Sequence, residues 1–271
     1  MKKRGRPRKV DVQQEHAPVV IDFSQITKLK SIQIDERMME QMESGLVLDL
    51  LISHEGGMPC ATNTMWIGDP GVGKTTVLLD FLASVQLRNQ NRKCLFISGE
   101  MGKKQMFKYT QRFPQFGVVE TMFMSDYTDY NAKDVIEQVL DLGWDLVLID
   151  SAAEVIEAVR NDNSWERKVA ESWLVDICTK NNKGLNKGNK FTSFMAIQQV
   201  TKSGEFVGSN KLKHMMDAAA EIRRDKETGS CFIMFNKNRN GDVENKLFFQ
   251  LTGSQIIYSN VQAKVESDIE S

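Results

Sequence analysis

The chain has 271 residues, 41% hydrophobic and 26% charged, ordinary values for a globular protein with room for a core that needs no disulfide or metal. No apolar run approaches the roughly 20 residues that cross a bilayer, and the basic N-terminus lacks the apolar stretch of a secretory signal, so no membrane partner and a cytoplasmic setting are expected. The net charge of −1 conceals an asymmetry, because residues 1–9 carry Lys2, Lys3, Arg4, Arg6, Arg8 and Lys9 and no acid, leaving 29 basic against 36 acidic residues in the remainder.

Cys60, Cys94, Cys178 and Cys231 form no C-x-x-C pair, and His16, His54 and His214 have no ligand spacing, which argues against a zinc ribbon or a disulfide framework. Three parts follow from composition: a disordered basic arm over 1–22, one continuous globular domain over 23–258, and an acidic tail over 259–271. Strand and helix alternate through the middle part. The pattern predicts strands near 63–67, 93–97, 121–124, 146–149 and 191–197, and helices over 74–89, 103–112, 132–142 and 165–179. Residues 181–190 read as an exposed loop. Strand-like runs near 218–223, 230–236 and 245–251 complete an α/β fold with a mainly parallel central sheet, flanking helices and late antiparallel strands. Met38, Met39, Met42, Trp165 and Trp173 read as packing positions or subunit contacts.

The strongest motif is Gly68-Asp69-Pro70-Gly71-Val72-Gly73-Lys74-Thr75, which fits G-x-x-x-x-G-K-[ST]. Glycines let such a loop turn its backbone N–H groups on phosphate oxygens, and the following helix adds the positive end of its dipole. In this pattern Lys74 reaches the β- and γ-phosphates and the Thr75 hydroxyl binds Mg²⁺, with Thr76 next in the run. ATP and Mg²⁺ are the expected cofactors.

Ligands of open α/β sheets lie beyond the carboxyl ends of the strands, so the polar residues there carry the chemistry. Leu146-Val147-Leu148-Ile149 ends in Asp150-Ser151, where the carboxylate suits the Mg²⁺ shell and both residues equally suit a helix N-cap. Cys94-Leu95-Phe96-Ile97 ends in Ser98-Gly99-Glu100. Glu100 is either a general base for the attacking water or a surface carboxylate at a helix start. Phe194-Met195-Ala196-Ile197 ends in Gln198-Gln199, where Gln199 could report the γ-phosphate or simply terminate a strand.

Residues 68–76 (GDPGVGKTT), Ser98-Gly99-Glu100, 146–151 (LVLIDS), Gln199-Val200-Thr201-Lys202, 211–217 (KLKHMMD) and Lys237-Asn238-Arg239-Asn240-Gly241 together resemble the RecA-like ATPase core of the bacterial RadA/Sms branch. The DnaB-type helicase core is a near relative. The chain lacks the N-terminal four-cysteine finger and the Lon-protease-like domain of that branch, and Asn240 stands where it usually has phenylalanine. It is similar in this to small phage-encoded recombination and replication ATPases.

The resemblance implies a single-stranded-DNA-stimulated ATPase of recombination, repair or replication, in a bacterial or phage-infected cell. It implies a homo-oligomeric ring or filament with ATP at subunit interfaces. Lys237 and Arg239 would then act on a neighbour's γ-phosphate; alternatively they belong to a solvated turn closed by Asn240-Gly241. The amphipathic stretch 34–51 would pack on a neighbour. The loop with Lys202, Lys211 and Lys213, and Phe206 between them, would face single-stranded DNA, or be a surface loop with ordinary charges. Arg4-Gly5-Arg6-Pro7 resembles an AT-hook for an AT-rich minor groove; a nonspecific phosphate-binding arm and no DNA role are the alternatives. The competing functions are a DnaB-like replicative helicase motor and a nucleotide-switched DNA-binding protein that moves no strand. A KaiC-like signalling ATPase is more distant.

Overall fold

The structure is a computed structural model and describes residues 26–199, 216–226 and 228–262. The chain divides into two units, and in the described part of the first, residues 26–34, a 3-10 turn spans Leu29–Ser31. The second unit, from Asp35 onward, is built on a nine-stranded sheet.

In chain order the second unit contains β1 (Gln41–Met42), α1 (Leu48–Ile52), β2 (Met58–Pro59), β3 (Asn63–Gly68), α2 (Lys74–Arg88), β4 (Cys94–Ser98), α3 (Lys103–Arg112), β5 (Glu120–Phe123), α4 (Ala132–Asp141), β6 (Leu146–Asp150), α5 (Ala152–Asp162), α6 (Arg167–Asn182), β7 (Ser193–Gln199), β8 (Ala218–Arg224), β9 (Cys231–Asn238), β10 (Lys246–Leu251) and β11 (Ile256–Gln262). The order across the large sheet is β11-β10-β9-β8-β3-β7-β6-β4-β5, with β1 and β2 paired separately. From β8 to β5 all neighbours are parallel. From β8 outward to β11 they are antiparallel.

The two-residue period of a strand accounts for the layers. Trp66, Phe96, Leu148 and Ile197 point into one core cluster with Val77, Leu78 and Phe81 of α2. Their neighbours Ile67, Ile97, Ile149 and Ala196 point into the other, with Ile136 of α4, Val155 of α5 and Leu174 of α6. Each central strand is therefore apolar on both faces, and its polar residues are confined to its ends.

Several sequence expectations change. The first of the three late runs, β8, pairs parallel with β3 and joins the parallel set. A helix not anticipated, α5, buries Ala152, Val155, Ile156 and Val159 on one stripe, and the Ser151 side chain caps it by accepting from the Glu154 N–H. Helix α6 begins at Arg167 and continues to Asn182, so Asn181, expected in an exposed loop, is buried. An unpredicted edge strand, β11, runs to Gln262 and carries the sheet past the 258/259 boundary. The stretch 34–51 is broken into a 3-10 turn (Glu36–Met39), β1 and the start of α1; Met42, Leu48 and Leu51 enter the chain's own core, while Ile34, Met39 and Leu50 are exposed. Of the packing positions, Met42 and Trp173 are buried whereas Met39 is exposed. Among the described residues no helix is long and apolar enough to cross a membrane.

Candidate nucleotide site

Strand β3 ends at Gly68, where the phosphate-loop motif begins. Only glycine fits there, since a Cβ would stand 2.1 Å from the carbonyl oxygen of Ile222 on β8. Gly73 caps α2 in the left-handed region at φ 97°, and a Cβ on it would meet the Leu251 side chain at 2.5 Å. Val72 contributes its side chain to the core, which anchors the loop from beneath. Thr76 is buried behind it.

Lys74 folds back over the loop, its Nζ donating to the carbonyl oxygens of Gly68 (2.9 Å) and Asp69 (3.0 Å). Burial pushes the Lys74 ammonium down from its ordinary value, and the carboxylates of Asp150, Glu100 and Asp69 oppose that. The Thr75 hydroxyl donates to Asp150 Oδ2 at 2.5 Å, which joins the start of α2 to the end of β6. Burial pushes the Asp150 carboxyl up to about 6, Thr75 opposes the shift and Glu100 adds to it. The Asp150–Ser151 peptide is cis.

Asp150 also accepts, through its backbone carbonyl, from the N–H groups of Gly99 (2.7 Å) and Glu100 (3.3 Å). Those bonds hold the turn after β4, and Glu100 lines the same cleft as Pro70, Gly71, Lys74, Thr75 and Asp150, a space of about 300 Å³. Gln199 ends β7 with its backbone in register with Gly68. The phosphate loop, Asp150, Glu100 and the Gln199 backbone thus share one edge of the sheet, as strand-end reasoning expected.

Magnesium is the metal this arrangement suits. Thr75 and Asp150 offer two hard oxygen ligands side by side, and Mg²⁺ takes its remaining oxygens from water and phosphate. Among the described residues no cluster of three or more His, Cys, Asp or Glu forms a dedicated metal cage.

Lys237 and Arg239 are elsewhere. Lys237 Nζ donates to the Met216 carbonyl, and Arg239 Nη1 pairs with Asp217 Oδ1 at 3.1 Å. Asp217 Oδ2 in turn accepts from the N–H of Asn63, the first residue of β3. This is the amino edge of the parallel sheet, about 17 Å along the strand from Gly68. Neither cation joins its own chain's phosphate loop. The connection after β9 is longer than a tight turn, with β10 resuming at Lys246. The candidate DNA residues Arg4, Gly5, Arg6, Pro7, Lys202, Lys211 and Lys213, like Phe206, lie outside the described residues.

The sequence reading missed two groups. Tyr109, Arg112 and Phe113 from α3 and its end line the cleft together with Leu251 of β10. Arg112 is fixed by donating to the carbonyls of Gly253 (3.0 Å) and Thr252 (3.3 Å). The spacing of Tyr109 and Phe113, one helical turn apart, was the available clue. The second is Arg223 near the end of β8, whose Nη1 reaches Asp69 Oδ1 at 3.1 Å. It obeys the strand-end rule once β8 is known to be parallel.

Comparison with known proteins gives a consistent picture. The profile of a family described as an AAA domain matches residues 51–182. Proteins named DNA repair protein RadA from Chlamydia muridarum and Listeria monocytogenes are each 29% identical over 196 residues, covering 72% of this chain and 40% of the relative. One from Campylobacter jejuni is 23% identical over 248 residues, covering 92% of this chain and 52% of its own. The chain thus spans two fifths to about half the length of these relatives. A KaiC-like protein from Pyrococcus horikoshii has a similar fold, with TM-score 0.63 and 16% identity over 82% of this chain and 99% of that one.

Proposed function

We propose that this chain, similar to RadA proteins over 72% of its length and to a KaiC-like protein in fold, hydrolyses Mg-ATP in DNA recombination, repair or replication, stimulated by single-stranded DNA. The observation that carries the reading is the convergence of Lys74, Thr75, Asp150 and Glu100 on one cleft. A bound Mg²⁺ would be held by Thr75 and Asp150 and would neutralise charge on the phosphates. Lys74 supplies a fixed positive charge to the same phosphates, and the N–H groups of the loop supply oriented donors. Glu100, exposed at the cleft rim and linked to Asp150 through its backbone, is placed to take a proton from water. Gln199, on the strand between, is the candidate reporter of nucleotide state. Tyr109, Arg112 and Phe113 close the cleft on the α3 side.

The amino-edge position of Lys237 and Arg239 supports a role in trans. A cation remote from its own site can complete a neighbour's only in a homo-oligomer that stacks one sheet edge toward the next subunit's cleft. That the relatives are DNA repair proteins supports DNA as the partner. Lys202, Lys211 and Lys213 are the candidates for single-stranded DNA, and Arg4-Gly5-Arg6-Pro7 for AT-rich duplex.

ATP hydrolysis by the purified protein, with and without single-stranded DNA, tests this beside Lys74→Ala and Glu100→Gln. Stimulation by single strands that both variants lose is the expected result. Nucleotide binding without stimulated turnover would overturn the motor and leave a nucleotide-switched DNA-binding protein.

A further inference from the structure

The phosphate loop carries an acid where an acid is least welcome. Asp69 follows the first glycine of the motif, and a carboxylate on a triphosphate-binding loop repels the ligand at close range. Its side chain is drawn toward β8 by Arg223 at 3.1 Å. Arg223 is itself gripped from its other side, where Nε donates to Glu221 Oε2 at 3.1 Å. The guanidinium fork thus spans two carboxylates on a rigid base, because β8 is pressed against β3 at Gly68 so closely that no side chain fits between. Asp69 also has a second duty, since its backbone carbonyl accepts from Lys74 Nζ at 3.0 Å. Whatever orients residue 69 therefore orients the anchor of the phosphate-binding lysine.

We propose that Arg223 is a positioning residue for nucleotide binding: it keeps the Asp69 carboxylate off the triphosphate and fixes the carbonyl to which Lys74 is tied. The inference rests on the reading of the cleft as an ATP site. It needs no contact between Arg223 and nucleotide, because the effect passes through Asp69. An ordinary surface ion pair contributes little to stability, so the consequence of losing this one lies in affinity rather than in folding.

The experiment titrates a fluorescent N-methylanthraniloyl-ATP into the full chain and measures KM and kcat for ATP in the same preparations. Arg223→Ala is expected to weaken binding about tenfold and raise KM in step. Adding Asp69→Asn to Arg223→Ala removes the unneutralised charge and is expected to restore binding to within about threefold. Arg223→Lys keeps the charge but loses the fork, and is expected to weaken binding about threefold. Thermal midpoints accompany every variant. If Arg223→Ala fails to fold, the Arg223→Lys comparison, alone and with Asp69→Asn, decides the matter. Unchanged affinity in the folded variants would overturn the inference, as would a double variant no better than its Arg223 parent. Wild-type protein that binds no ATP analogue would overturn the ATP reading itself, whereas wild-type binding with indifferent Arg223 variants would overturn this inference alone.

Discussion

The two edges of the central sheet hold comparable numbers of charged side chains and use them differently. At the carboxyl edge Lys74, Asp150 and Glu100 line an open cleft with the Asp69–Arg223 pair beside it, and burial shifts both Lys74 and Asp150 toward their neutral forms. At the amino edge Asp145 is buried and fully engaged, accepting from Arg92 (3.1 Å), Lys190 (3.0 Å) and the backbone N–H of Lys93 (2.8 Å). One edge leaves charge available to a ligand, and the other consumes it in joining strands to loops. A charged residue at a strand end is therefore informative only together with the end on which it stands.

The sharpest test of this contrast is a pair of substitutions. Lys74→Ala should reduce ATP turnover by two orders of magnitude or more, about the scale of removing a preorganised charge from a transition state, with little change in thermal midpoint. Asp145→Ala should do the reverse. It removes the buried carboxylate shared by two partly exposed cations, of which Arg92 keeps Glu40 as a partner, at a cost of about 2 kcal/mol in stability, and the folded fraction should keep the wild-type KM for ATP. Calorimetry and steady-state kinetics on the same preparations separate the two, and a raised KM in Asp145→Ala would break the comparison.

Arg239 is the exception at the amino edge. Its side chain is 64% exposed and forms an ion pair with the carboxylate of Asp217. If it completes a neighbour's site, Arg239→Ala should lower ATP turnover about tenfold while leaving ATP binding intact. Mixing it with Lys74→Ala should recover part of the activity, since some interfaces then pair an intact phosphate loop with an intact Arg239. Mixtures no better than the average of their components would return Arg239 to the structural class of Asp145.

How far the sequence carries can be judged from the same residues. Glycine spacing and the Lys-Thr pair locate the phosphate loop because that backbone geometry tolerates few alternatives. The apolar runs ending in Asp150 and Glu100 locate their strand ends because buried strands confine polarity to their termini. Helix α5 was missed although Ala152, Val155, Ile156 and Val159 have helical spacing, because Asp150-Ser151 was read for its chemistry, and the cap was set against the ligand as an alternative. The cap is Ser151, while Asp150 accepts from the Thr75 hydroxyl at the start of α2. Arg223 and the α3 wall were not legible, since each depends on which strand or helix is the spatial neighbour of the loop. Local sequence does not contain that information.

The smallest expected effect lies between the edges, beneath the phosphate loop. Asp80 on α2 is buried, its carboxylate accepting from Gln115 Nε2 at 3.1 Å and from the Tyr258 hydroxyl at 3.4 Å. Burial pushes the Asp80 carboxyl up from its ordinary value, and the two hydrogen bonds offset only part of that shift. A group whose pKa is raised on folding binds its proton more tightly in the folded state. Its contribution to stability is therefore greatest below the ordinary carboxylate range and is lost as pH rises through the raised value. At neutral pH the folded protein bears the whole cost of burying the charge. Asp80→Asn removes the ionisation while keeping an acceptor for one of the two donors, so it should stabilise the protein at pH 7 by about 1 kcal/mol or less, with the gain vanishing near pH 4. Thermal midpoints of both proteins across that range should converge at the acidic end and separate toward neutrality, whereas parallel curves would show that Gln115 and Tyr258 already compensate the charge. ATP affinity should not change, because Asp80 is more than a helical turn from Lys74 and faces the core and β11 rather than the cleft.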